Sequence, residues 1–153
     1  MNNNLTDQGA VSKVEYVQHF FDQPKNYLAR NSFDIRVRAE TTEALIRDRK
    51  VTTVLDVGCG DGSVSLPLLS AQSHITLLDI SPNMLAVAKS RVGDALAANV
   101  DFMNADFLAT PFARGSYDLV ICIGVLAHVS SPGDVIEKIA TVLKPGGTLI
   151  PMH

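Results

Sequence analysis

Short apolar runs begin near Thr53, Ile75, Val100, Tyr117 and Gly147, and most of the segments between them carry apolar residues at helical spacing. Strand-sized runs alternating with helical segments predict an α/β fold, a doubly wound parallel sheet with helices on its faces. The run from Tyr117 to Ile123 is apolar almost without a break, which suits a central strand covered on both sides. In "SPNMLAVAKSRVGDAL" Ser81 fits the N-cap and Pro82 the first helical position, where its missing N–H costs nothing. Met84, Leu85, Ala88 and Val92 then share one face. "SPGDVIEKIATVLKPGG" repeats the arrangement: Ser131 and Pro132 open a helix, Val135, Ile136, Ile139, Val142 and Leu143 face the core, and Gly146 and Gly147 end it. Residues 1–50 show no strand signal and contain two helical stretches, "VEYVQHFF" and "FDIRVRAETTEALIRD". They are expected to form a helical lid over the ligand edge of a sheet built by residues 51–153.

Composition narrows the classes. A chain of 153 residues, 46% hydrophobic, suits a single buried core. Charged residues are 19%, the net charge is -3, and Lys and Arg form no cluster. That balance argues against a nucleic-acid surface, whose phosphate contacts need basic side chains. No apolar run approaches the roughly 20 residues needed to cross a bilayer. The opening "MNNNLTDQGAVSK" lacks the regions of a signal peptide, so a cytoplasmic protein is expected, with "MNNN" disordered. Cys59 and Cys122 have neither metal-ligand spacing nor the density of a disulfide scaffold, and reduced thiols without a metal are expected.

The chemistry centres on "VLDVGCGDGSV", residues 54 to 64, where glycines stand at every second position after an apolar run. Gly58 and Gly60 allow a sharp turn and a close approach of backbone to ligand. The loop carries Asp56 and Asp61 and no Lys or Arg, so its ligand should be cationic where the two meet. In an open parallel sheet such a loop lies at the ligand-binding edge. Asp79 ends the second strand about 20 residues after the loop, where a carboxylate can accept bonds from both ribose hydroxyls of a nucleoside. The plainer alternative is an Asp that ends a strand or caps the following helix. Asp56, two residues before Gly58, would repel a diphosphate and suits an ammonium group, directly or through water.

Five segments in order, "VLDVGCGDG", "LLDISPNMLAVAKSR", "DFMNADFLATPF", "SYDLVICIGVLAHV" and "VLKPGGTLI", resemble successive motifs of the class I S-adenosylmethionine-dependent methyltransferases over about residues 51 to 150. That ligand carries two cations and no phosphate. The resemblance implies a Rossmann-like sheet of five parallel strands in the order 3-2-1-4-5, with Asp56, Gly58, Cys59 and Gly60 around the methionine part and Asp79 on the ribose. It further implies that Ile80 and Met84 pack on the adenine side, and that Asp106, with Phe107 beside it, lies near the adenine amine. Ile123 would line the methyl-transfer channel. Asp106 has the alternative of an exposed loop Asp, and Ile123 that of a core strand residue. His128 follows the fourth strand, where the family often has a His near the acceptor. It is a general-base candidate or a structural His. Tyr16, Phe20, Phe21 and Tyr27 form either a lid or part of the core.

These residues predict methyl transfer to a small-molecule acceptor by direct in-line displacement, leaving S-adenosylhomocysteine. A nucleotide-dependent oxidoreductase would share the fold and Asp79, but Asp56, and Ser63 where a third glycine should fall, argue against it. The third reading is a protein that binds cofactor or partner without catalysis. It draws on the absence of the antiparallel hairpin that the family usually adds beside the fifth strand. The resemblance therefore leads us to expect a core that is either a truncated part of a longer protein or self-associates through an exposed edge at residues 147–152. Pro151 suits such an edge.

Overall fold

Five strands form one sheet in a computed structural model that describes residues 12–152; the disorder expected of "MNNN" lies outside the described residues. They are β1 (Thr53–Val57), β2 (His74–Asp79), β3 (Val100–Asn104), β4 (Tyr117–Ile123) and β5 (Leu143–Met152), ordered β3-β2-β1-β4-β5. Every pairing is parallel, with Val57 opposite Leu78, Asp79 opposite Asn104 and Ile123 opposite Met152. The strands therefore all end on one edge, and the winding reverses between β1 and β4.

Alternation along the strands sorts the core into two layers, because successive side chains point to opposite faces. Val54, Ile75, Leu77, Leu119 and Ile121 pack on one face with Leu85 and Ala88 of α3 (Pro82–Ser90). Leu55, Val57, Leu78, Val120 and Cys122 pack on the other with Val135, Ile139 and Val142 of α4 (Pro132–Val142). Ser81 caps α3 as expected, its hydroxyl accepting from the Met84 N–H at 3.2 Å. At the opposite edge Asp118 ties β4 to β1 by accepting from both the N–H and hydroxyl groups of Thr52 and Thr53, at 2.9 to 3.1 Å.

Three details differ from the sequence reading. Helix α4 ends at Val142, so Leu143 already belongs to β5, and Gly146 and Gly147 lie within that strand. Ile136 is turned outward, 37% exposed. The crossover from β1 to β2 holds only a 3-10 turn, Leu66–Leu68, in keeping with Pro67, which cannot sit in a helix interior.

Ahead of the sheet lie α1 (Lys13–Phe21) and α2 (Pro24–Ile46). Helix α1 opens on a capping box between Ser12 and Glu15. Helix α2 starts at Pro24, well before the expected Phe33, because Pro at the first position is compatible with a helix and no breaker follows. No helix among the described residues is long and apolar enough to cross a membrane. The outer side of β5 pairs with no other strand among the described residues.

Candidate functional site

Immediately after β1 the chain turns through Gly58 at φ 69° and Gly60 at φ 54°, a region that side chains other than glycine rarely enter. The N–H groups of Gly58 and Cys59 both donate to the carbonyl of Leu78, at 2.8 and 3.0 Å, which docks the loop on the end of β2. A methyl group added at Gly58 would collide with Cγ2 of Val125, beyond β4. The loops after β1 and β4 thus meet across the point where the winding reverses.

The loop also holds Asp79. Gly60 N–H donates to its Oδ2 and Ser81 N–H to its Oδ1, each at 2.8 Å. Burial pushes this carboxyl above its ordinary value, and those backbone donors oppose the shift. Because each carboxylate oxygen can accept two bonds, the group is fixed yet still able to accept from a ligand.

Asp56 is 2% exposed and accepts from the Ser65 hydroxyl at 2.6 Å. Burial, with Asp79 and Asp61 nearby, pushes it up to about 7 against the opposing bond from Ser65. Burial likewise pushes the Cys59 thiol well up, which leaves a neutral, unreactive group. Asp61 is tied to Arg91, at the end of α3, by an ion pair of 2.5 Å, and Arg91 also donates to Ser63 Oγ at 2.6 Å. The acidic loop is therefore clamped at Asp61, while the bonds given for Asp56 and Asp79 come from a hydroxyl and from backbone N–H groups.

A cavity of about 610 Å³ opens over this edge, within the usual range of ligand pockets, roughly 300 to 1,000 Å³. It brings together Gly58, Gly60, Asp79, Ile80, Met84, Asp106, Phe107, Ile123 and His128. Asp56 and Cys59 do not line it. They border an adjoining recess of about 50 Å³ that shares Gly58, Gly60 and Ile123 with the main cavity. Asp106 accepts from Leu108 N–H through Oδ1 at 2.8 Å. His128 is exposed, its ring 5.6 Å from that of Phe21 in an edge-to-face contact.

The far wall comes from α1 and α2: Val14, Val17, Phe20, Phe21 and Tyr27, with Asn31 and Arg38. Phe20, Phe21 and Tyr27 thus serve as a wall, with Phe21 packed edge-to-face on both of the others, whereas Tyr16 is exposed and does not border the cavity. Sequence reading missed Asn31, Arg38 and Ser65. The available signal was the spacing of Tyr27, Asn31 and Arg38 on one helical face, opposite the apolar but exposed Phe33 and Val37. Arg38 borders both the cavity and the recess, and its Nη1 would lie 3.8 Å from a methyl group added at Gly124. Among the described residues no group of three or more His, Cys, Asp or Glu could hold a metal ion.

The sequence profile of a family described as "Methyltransferase domain" matches residues 54–147. The demethylmenaquinone methyltransferase of Listeria welshimeri is 33% identical over 149 residues, covering 94% of this chain and 62% of its own length. The ubiquinone biosynthesis O-methyltransferase of Marinobacter nauticus is 32% identical over 159 residues, again covering 62% of its length and 96% of this chain. This chain therefore spans about 62% of the curated relatives it matches. The fold is shared with the magnesium protoporphyrin IX methyltransferase of Synechocystis PCC 6803, solved with bound S-adenosylmethionine, at TM-score 0.70, 24% identity, and coverage of 89% of this chain and 74% of that one.

Proposed function

Because the chain belongs to the class I S-adenosylmethionine-dependent methyltransferases, we propose that it binds S-adenosylmethionine in the cavity above β1, β2 and β4 and transfers its methyl group to a small acceptor. The observation that carries this reading is the pair of buried carboxylates at the glycine loop, Asp56 and Asp79, with no Lys or Arg in residues 54 to 64 to receive a diphosphate. The fit is supported by Gly60, which borders the cavity and leaves open space where a side chain would otherwise stand.

When bound, S-adenosylmethionine supplies a methyl group already activated by its positive sulfur. What remains for the chain is to bind, align and exclude water. Asp79, held by Gly60 and Ser81, accepts from the ribose hydroxyls. The backbone of Gly58 and Gly60 passes beside the methionine part. Asp56 faces its ammonium group from the side recess in the ionised form, which that cation favours over the protonated one, and Arg38, bordering that same recess, pairs with its carboxylate. Ile80, Met84 and Phe107 pack on the adenine, with Asp106 toward the exocyclic amine, while Ile123 lines the path to the acceptor.

The acceptor lies between the end of β4 and the wall formed by Val14, Val17, Phe20 and Phe21. His128, bordering the cavity beside Phe21, takes the acceptor's proton as its nucleophile attacks. The apolar, aromatic character of this wall and the quinone names of the two relatives support a ring-bearing hydroxyl compound as the first acceptor class to assay. Calorimetric titration tests the assignment of the ribose. Asp79→Ala should weaken S-adenosylmethionine by about 1 to 3 kcal/mol, the range for unsatisfied buried hydrogen-bond partners. Unchanged affinity would put the ribose elsewhere.

A further inference from the structure

Lys138, in the middle of α4, reaches across to the loop between β3 and β4. Its ammonium donates to the carbonyl oxygens of Phe107 at 2.5 Å and Leu108 at 3.0 Å, and to that of Thr110. An ammonium has three N–H donors, so one turn of backbone uses all of them. The nitrogen also lies 5.0 and 5.6 Å from the ring centroids of Phe107 and Phe112, within reach of both π faces. Among the described residues no carboxylate forms an ion pair with it. Three carbonyl oxygens gathered at one point repel one another, and the cation between them is what keeps residues 107–110 closed.

That turn is also what orients Asp106. Leu108, whose carbonyl binds Lys138, donates its N–H to Asp106 Oδ1 at 2.8 Å. Thr110, whose carbonyl does the same, donates its hydroxyl to the Asp106 carbonyl at 2.6 Å. Asp106 borders the cavity, with Oδ2 left for a ligand. We infer that Lys138 is a positioning residue for base selectivity: by closing the 107–110 turn it aims Asp106 at the exocyclic amine of a 6-aminopurine and against a 6-oxopurine. An amine donates to a carboxylate, whereas an oxo group offers only an acceptor and is repelled. This inference rests on the reading of the cavity as the S-adenosylmethionine site.

The test is calorimetric titration of S-adenosylhomocysteine and of S-inosylhomocysteine, its 6-oxo analogue, against the whole chain and its variants. The unmodified chain should prefer the amino ligand by about tenfold to a hundredfold, as expected for one charge-assisted hydrogen bond. Lys138→Met should bring that ratio close to one. Lys138→Arg should lower it as well, because a planar guanidinium cannot direct three N–H groups to one such nest. A merely structural role would lower both affinities and the melting temperature together and leave the ratio intact, and an intact ratio overturns the inference. Should Lys138→Met fail to fold, the ratio for Lys138→Arg decides on the same terms. An unmodified chain that binds both ligands alike also overturns it. One that does not bind S-adenosylhomocysteine rejects the reading of the cavity itself.

Discussion

Each of the five strands contributes a buried apolar side chain to the core, whereas α1 buries nothing and α2 buries only Thr42. On those two helices Tyr16, Phe20, Phe33 and Leu45 are more than half exposed. The two walls of one cavity are thus held by very different amounts of apolar contact. The sheet wall, with Gly58, Asp79 and Ile123 at its strand ends, keeps its geometry as long as the domain is folded. The helical wall has few buried contacts, which places it at the low end of local stability. Such a difference suits a fixed cofactor half and an acceptor half that opens to admit and release small molecules.

Three substitutions probe the contrast. The largest effect belongs to Ile121→Ala, in the interior strand β4 at 0% exposure. It should lower unfolding free energy by about 2 to 5 kcal/mol, from lost transfer energy and the cavity left behind. Denaturant titration measures it, and a loss below 1 kcal/mol would mean that the sheet side is far looser than its burial indicates.

An intermediate effect belongs to Asp56. Its folded value of about 7 lies above the ordinary 3.8, so across that window the folded chain holds a proton that the unfolded chain has released. Stability from this group is present below the unfolded value and is lost as pH rises toward 7, by at most about 1.4 kcal/mol per pH unit. Asp56→Asn should flatten the pH dependence of the melting temperature between about pH 4 and 7. An identical pH profile in the variant would show that Asp56 is ionised in the fold throughout.

The smallest effect is expected from Phe33→Ala on α2, where a ring 66% exposed should change stability by no more than about 0.5 kcal/mol. A loss as large as that of Ile121→Ala would erase the distinction between the walls.

The sheet was legible because its signals are local. Alternation in "TVLDV" and "HITLLD" sorts side chains to two faces, and Ser81-Pro82 marks the start of α3. The sequence pattern puts the start of β5 four residues late because Gly146 and Gly147 resemble the end of a helix, whereas they sit inside a strand paired irregularly between Tyr117 and Leu119. The glycine loop and Asp79 can be found from motif spacing, Asp106 and His128 only through the family resemblance, and all of them border the cavity or its recess. Lys138 and Ser65 could not. Lys138 acts on a loop about 30 residues away in sequence through carbonyl groups that any residue carries. Ser65 reaches Asp56 only because the short crossover folds back beneath the glycine loop.

An acidic, glycine-lined sheet edge should select a cationic nucleoside over a dinucleotide. Calorimetric titration of the purified chain with S-adenosylmethionine, S-adenosylhomocysteine and NAD tests it most directly. Saturable binding of the first two and no binding of NAD are expected. Tight binding of NAD, with no heat from either of the others, would contradict it.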